Sequence, residues 1–303
     1  MTASRIVRVG TRGSVLALTQ TALAIAALKA VDPDTTYEPA IIRTEGDRDK
    51  TTPLTVIGGQ GVFTVALQDA LLRGTVDMAV HSAKDLPPAT PDGLILAAFP
   101  ERADPRDVFI SRHNLRLQDL SAGARVGTSS RRRAVQARAI NPTIEIVELR
   151  GNLDTRLRKS TSLEYDGIIV AAAGLDRMGW GVRVTEYLPV DQFVPSPGQG
   201  ALGIECRAED ASLRAALARI DHAPTHVAVT AERALLVAAG AGCVMPVAGY
   251  ATVDGASLQM YGMAADETFA HPRWVRETHA AADPIAAGWA LAQSLGLVAG
   301  VRA

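Results

Sequence analysis

Apolar runs of strand length alternate with segments of helical spacing through the first two thirds of the chain. Residues 5–10 read as a strand and 15–29 as the helix that follows it. Residues 37–43 predict a second strand, 62–72 a helix, and 77–81 and 94–99 two more strands. The alternation resumes with a strand at 125–127, a helix at 132–140, a strand at 144–149, a helix at 152–159 and a buried strand at 167–172. Such alternation implies an α/β fold with much parallel sheet. Proline and glycine mark the boundaries: 100–105 links a first lobe to a second, and 194–200 returns the chain to the first. After His222 the character changes to a helix at 227–239, strands at 247–253 and 258–264, and a last helix at 284–295, a small α+β domain. The expected division is residues 1–100 with 199–220, then 105–195, then 222–303.

An internal echo relates the two lobes. Val7-Arg-Val-Gly-Thr-Arg-Gly-Ser14 opens one helix and Ala124-Arg-Val-Gly-Thr-Ser-Ser-Arg131 opens another. Each is strand, Gly-Thr, small polar residues, then helix. Free N–H groups and the helix dipole make such a junction a ready anion site.

Composition narrows the classes. At 303 residues the chain is too long for one ordinary core, and 48% hydrophobic with 21% charged residues describes a globular protein. No run reaches the ~18 apolar residues of a membrane helix, and the first ten residues lack the apolar core of an export signal, so a cytoplasmic location is expected. A net charge of −1 points to neither nucleic acid nor membrane. Four of the 31 basic residues are lysines, so 27 are arginines. Codon bias explains such a choice, and so does carboxylate recognition by the two-pronged guanidinium; position has to separate the two.

Cys206 and Cys243 are too few for a disulfide framework or a cysteine-rich metal site, and no metal is expected. Cys243 follows Ala-Gly-Ala-Gly at the end of an apolar helix, in a loop where a thiol is free to react; Cys206 reads as a structural strand residue. His81-Ser-Ala-Lys-Asp85 follows a strand, and the carboxyl ends of parallel strands meet the ligand crevice in open α/β sheets. Asp85 is the candidate catalytic group there, while His81 reads as a core histidine satisfied by backbone groups. Arg12, Arg131–Arg133, Arg150, Arg156 and Arg177 follow strands or open helices, a pattern that predicts a basic cleft between lobes. With 4% aromatics there are few stacking platforms for nucleic acid, and a small ligand with several carboxylates suits the cleft better.

At these residues the chain resembles the hydroxymethylbilane synthase (porphobilinogen deaminase) family. The matching segments are Gly10-Thr-Arg-Gly-Ser14 with Leu18-Thr-Gln20, Thr44-Glu-Gly-Asp47, Gly61-Val-Phe63, Asp77-Met-Ala-Val-His-Ser-Ala-Lys-Asp85, Gly127-Thr-Ser-Ser130 with Arg132-Arg133, and Leu149-Arg-Gly-Asn152 with Thr155-Arg156. Ala173-Gly-Leu175, Gly198-Gln-Gly200, Gly203-Ile-Glu205, Ala231-Glu-Arg-Ala-Leu235 and Gly242-Cys243 follow in family order. The resemblance implies two lobes similar to type II periplasmic binding proteins around a cleft, plus a C-terminal domain. It implies a dipyrromethane cofactor bonded to Cys243 through a thioether, on which four porphobilinogen molecules are condensed head to tail. Ammonia and 1-hydroxymethylbilane would be released, and a monomer is expected. By the same match Asp85 stabilises positive charge on pyrrole nitrogens and moves protons. Arg12, Arg132, Arg133, Arg150, Arg156 and Arg177 would hold acetate and propionate groups. Ser14, Gln20, Ser82, Lys84, Thr128, Ser129, Ser130 and Gln199 would add contacts, and Phe63 would pack on a ring.

The chain departs from the pattern in four places. Gly58-Gly-Gln-Gly61 stands where Gly-Gly-Lys-Gly is common, Val56 where some members carry lysine, Arg131 where an apolar residue is usual, and Val244 where polar residues are common. The competing reading is a two-lobed protein that binds a small anion without reacting.

Overall fold

A computed structural model describes residues 5–42, 64–240, 246–266 and 271–298. The chain divides into two compact units, Met1–Arg102 with Ala201–Val227, and Ala103–Gly200 with Ala228–Ala303.

In the first unit, β1 (Ile6–Thr11) leads into α1 (Val15–Val31). There follow β2 (Thr36–Ile41), α2 (Val65–Leu72), β3 (Met78–Ser82) and β4 (Leu94–Ala98). Ser14 starts α1 by accepting a hydrogen bond from the Ala17 amide, as a short oxygen-bearing side chain does at a helix N-cap. The sheet order is β2-β1-β3-β10-β4, where β10 (Leu202–Arg207) is the returning strand, antiparallel to both neighbours. Alternation along the strands sends Val7, Val9, Met78 and Val80 to a layer with Ala24 and Leu28 of α1, and with Leu213 and Leu217 of α3 (Ala211–Ala218). Ala79 faces the other way, onto Leu67 and Leu71 of α2. Burying both faces of a largely parallel sheet is what βαβ connections impose.

The second unit repeats this plan. Its strands are β5 (Asp107–Ser111), β6 (Arg125–Gly127), β7 (Glu145–Val147), β8 (Gly167–Ala171) and β9 (Glu186–Leu188), in the order β7-β6-β8-β5-β9. Here β5, rather than a returning strand, runs antiparallel to both neighbours. The helices are α4 (Arg131–Ile140), α5 (Leu153–Lys159) and α6 (Ala172–Arg177). Both Gly-Thr echoes therefore run from the end of the first parallel strand of a sheet toward the helix after it. Gly127 has no room for a side chain there: a Cβ would lie 2.7 Å from the Tyr165 ring. A second sheet, β11-β12-β13 (Val247–Asp254, Ser257–Ala264, Arg273–Ala280), is antiparallel and carries α8 (Pro284–Ser294). The helix α7 (Ala223–Ala238) precedes it in the chain.

The expected helices and strands are present within a few residues at each end. Strands β5, β9 and β13 and helices α3 and α6 were not expected. In β13, Arg273-Trp-Val-Arg-Glu-Thr-His-Ala280 alternates exposed with half-buried positions, so its apolar signal is weak.

Gly288 of α8 packs directly on α7. A Cβ there would sit 2.3 Å from the Ala231 carbonyl oxygen and 2.6 Å from the Ala234 Cβ. Gly288→Ala should therefore lower the unfolding free energy by ~1–3 kcal/mol, the usual cost of overpacking, read by chemical denaturation.

Candidate functional site

A pocket in the first unit collects the polar residues at the carboxyl end of β3. It is lined by Arg12 and Ser14 from the β1–α1 turn, Gln20 from α1, Thr64 and Leu67 from the start of α2, and His81, Ser82 and Asp85. Asp85 and Lys84 sit in one 3-10 turn just beyond the strand. The Gln20 amide donates to the Ser82 hydroxyl over 2.8 Å, joining α1 to the strand end. Thr21, the next residue of α1, donates to Thr11 over 2.7 Å and ties the helix to β1. The pocket thus brings a carboxylate, a guanidinium and hydroxyl and amide groups together.

Below the pocket lies a buried polar group. The amide of Gln68 on α2 donates to Glu205 Oε1 over 2.9 Å. The other carboxylate oxygen, Oε2, stands 3.2 Å from His81 Nε2, with both side chains almost wholly buried. That is ion-pair range, yet neither atom completes a well-directed hydrogen bond. His81 is buried, as expected, but its partner is this carboxylate rather than the backbone groups the sequence suggested.

In the second unit the turn at 128–130 spends its hydrogen bonds locally. The Thr128 amide donates to the Val147 carbonyl, and the Ser129 hydroxyl to the Leu149 carbonyl over 2.6 Å. Ser130 caps α4 through the Arg133 amide. Arg132 and Arg133 turn inward, each 6% exposed, onto Asp107, which is 0% exposed. Arg132 Nη1 lies 2.7 Å from Asp107 Oδ2 and also donates to the Val194 carbonyl. Arg133 donates through Nε and Nη2 to Asp107 Oδ1 and through Nη1 to the Ile169 carbonyl. Gln199 donates to Asp107 Oδ1 and to the Pro105 carbonyl. The expected partners of these two arginines were ligand carboxylates; in the structure their carboxylate belongs to the chain. Burial alone would push the Asp107 carboxyl up, but the two guanidinium charges outweigh it and hold it well below the usual range.

The other arginines differ. Arg150 pairs with Glu148 at 2.6 Å, and Arg156 Nε donates to the Gly151 carbonyl. Arg177 is half-buried and donates to the Gly200 carbonyl over 2.8 Å. Burial, partly offset by Asp176, lowers its guanidinium to about 10. Arg131 is exposed. Cys206 is buried in the first core, its thiol pushed up to about 11 chiefly by burial, and reads as structural. Phe63, Cys243, Val244, Val56, Gln60 and the segments at 44–47 and 58–61 lie outside the described residues. Among the described residues no three His, Cys, Asp or Glu side chains gather as a metal site, and no helix is long and apolar enough to cross a membrane.

Sequence reasoning missed Asp107, Gln68 and Thr64 altogether, and Glu205 as a partner of His81. An acid inside the apolar run Leu202-Gly-Ile-Glu-Cys206 was the available signal for Glu205.

Residues 7–244 match the domain described as "Porphobilinogen deaminase, dipyromethane cofactor binding domain", and residues 226–296 match the C-terminal domain of the same enzyme. The chain belongs to the porphobilinogen deaminase family. It is 50% identical over 261 residues to the porphobilinogen deaminase of Syntrophobacter fumaroxidans, covering 86% of this chain and 84% of that one. It is 44% identical over 289 residues to that of a Roseiflexus species, covering 95% and 94%, and 44% identical over 263 residues to that of Bacillus subtilis, covering 86% and 84%. An arginine-specific periplasmic binding protein of Salmonella typhimurium overlaps 71% of this chain and 90% of its own at 13% identity and a TM-score of 0.40, and nothing rests on it. Membership makes the chain a transferase of tetrapyrrole biosynthesis with hydroxymethylbilane synthase activity and a dipyrromethane cofactor.

Asp107→Asn leaves two buried guanidiniums without a counter-charge and should cost ~3–5 kcal/mol of stability. The carboxyl is held below its unfolded-state value, so its contribution is complete above roughly pH 4 and is lost as pH falls further. Denaturation curves across acidic pH should show that dependence in the parent and a smaller one in Asp107→Asn.

Proposed function

We propose that Asp85 is the catalytic carboxylate and Cys243 the point of cofactor attachment in the stepwise condensation of four porphobilinogen molecules. The observation that carries this reading is the pocket uniting Asp85 with Arg12, Ser14, Gln20 and Ser82. A pyrrole nitrogen gains positive charge as ammonia leaves and again as rings couple. A carboxylate beside it stabilises that charge and holds or returns the proton. Arg12 can hold a substrate carboxylate in the same pocket, with Ser14, Gln20, Ser82 and Lys84 adding hydrogen bonds. Phe63 is proposed to pack on a ring.

Two observations fit the dipyrromethane group. Of the two cysteines, Cys206 is sealed in the core with a raised thiol, which leaves the thioether to Cys243. Arg177 is a half-buried guanidinium bonded to a backbone carbonyl, and a carboxylate would complete its coordination. When bound, the cofactor supplies the pyrrole to which the first substrate is joined. Arg150 and Arg156 are proposed to hold further acetates and propionates. Arg132, Arg133 and Gln199, gathered by Asp107, would fix the turn Thr128–Ser129–Ser130 from behind.

A three-domain division at the boundaries expected from the sequence, a monomer without nucleic-acid or membrane partners, and a cytoplasmic location complete the proposal. The separate match of residues 226–296 supports a C-terminal domain, and the sparse cysteine usage suits a reducing compartment.

Intact mass tests the anchor. Freshly purified parent should carry the added mass of a dipyrromethane, and Cys243→Ala should fold without it and lose nearly all activity. A Cys243→Ala protein with normal turnover would refute the assignment. For Asp85→Asn, single-turnover pyrrole addition should slow by ~10²–10⁴-fold while substrate still binds. An unchanged rate would remove Asp85 from the mechanism.

A further inference from the structure

The buried pair under the pocket has no part in the reaction as described so far. In the β3–β10 register His81 lies opposite Gly203 and Glu205 opposite Ala79, so Glu205 and His81 are diagonal neighbours on one face of the sheet. That face packs on α2 through Leu67, Leu71 and Ala79. Two ionisable side chains in such a layer are costly to bury and stand only if each is compensated. Gln68 satisfies one carboxylate oxygen, and the imidazole faces the other at 3.2 Å. His81 also lines the pocket that holds Asp85. The residue that pairs with the buried carboxylate is thus also a residue of the pocket wall.

A second carboxylate near Asp85 would make it retain its proton to higher pH, since like charges sharing a site resist ionising together. An imidazole paired with that carboxylate weakens the effect by offsetting its charge. We propose that His81, backed by Glu205 and Gln68, is a further positioning residue for the reaction, an ionisable group beneath the pocket that governs the protonation of Asp85 without touching substrate. Among the described residues the other charged groups are Arg12, which lines the pocket, and Lys84, next to Asp85 in the 3-10 turn. The proposal rests on the assignment of Asp85.

The test is the pH profile of single-turnover pyrrole addition by holoenzyme in three variants. Glu205→Gln removes the buried charge and keeps an acceptor for Gln68; its acidic limb should move to lower pH by roughly half a unit or more. His81→Gln leaves Glu205 unscreened; its acidic limb should move to higher pH. The double variant should fall between the two. Limbs that stay in place in both single variants, or that move in the same direction, would overturn the proposal. Should His81→Gln fail to fold, nitrogen-15 histidine NMR on the parent and on Asp85→Asn decides, because coupling between two titrating groups is mutual. The His81 titration should differ between the two proteins, and superimposable curves would refute the coupling. That measurement needs no activity, so it stands apart from the failure of Asp85 as catalyst, which Asp85→Asn kinetics report on their own.

Discussion

Asp107 has no contact with water, and much of the second unit is arranged around keeping its charge tolerable. Taking a carboxylate and two guanidiniums out of water costs several kcal/mol per ion, recovered only when geometry is close and the remaining donors are occupied. Asp107 begins β5, Arg132 and Arg133 form the first turn of α4, and Gln199 comes from the segment 194–200. That segment is held along its length: at Val194 by Arg132 and Gln136, at Gly198 by Glu232, at Gln199 by Asp107 and at Gly200 by Arg177. Glu232, itself 0% exposed, also accepts from the Ala251 amide of β11, so one buried acid on α7 joins the return segment to the antiparallel sheet. The motifs Gly198-Gln-Gly200 and Ala231-Glu-Arg-Ala-Leu235 thereby meet through the Gly198–Glu232 hydrogen bond.

How legible this was depended on whether the deciding partner lay nearby in sequence. The Gly-Thr turns and the parallel strands were readable because each is a local pattern; the caps that Ser14 and Ser130 form on their helices were not read, although short oxygen-bearing residues favour that position. Asp85 was readable because a strand end is a local position with a general meaning. The bond between Asp107 and Arg132 spans 25 residues and that between Gln68 and Glu205 spans 137, and no spacing rule reaches so far. Strand β5 was lost for a related reason: Asp107-Val-Phe-Ile-Ser111 is short and follows a proline-rich link, so its apolar run carries no period of its own.

The abundance of arginine illustrates the same limit. Composition alone favoured codon bias as the source of 27 guanidiniums and left carboxylate recognition to be decided by position. Position separates them into groups. Arg5, Arg8, Arg106 and Arg112 bond to acids of the chain at its surface, where such pairs contribute little. Arg132 and Arg133 bond to an acid of the interior, Asp107. Arg177 belongs to neither group: it is half-buried and bonded to a carbonyl, and its lowered pKa reports a charge that burial disfavours. A guanidinium in that condition gains more from an incoming carboxylate than one already paired.

Strand β3 shows how one short run of sequence serves fold and chemistry together. Successive side chains of a strand point to opposite faces. Val80 and Ser82 therefore turn toward α1, where Ser82 meets Gln20, while Ala79 and His81 turn toward α2, where His81 meets Glu205 and Glu205 meets Gln68. A slip of one residue would exchange the two faces, placing the imidazole among the valines and the serine against a buried carboxylate. The apolar residues of β3 resist that slip, since Val80 and Met78 fill one core and Ala79 packs with Leu67 and Leu71 of α2 in the other. Packing thus fixes the register, the register aims Ser82 and His81, and the 3-10 turn that follows carries Asp85 past the last ladder position to the pocket wall.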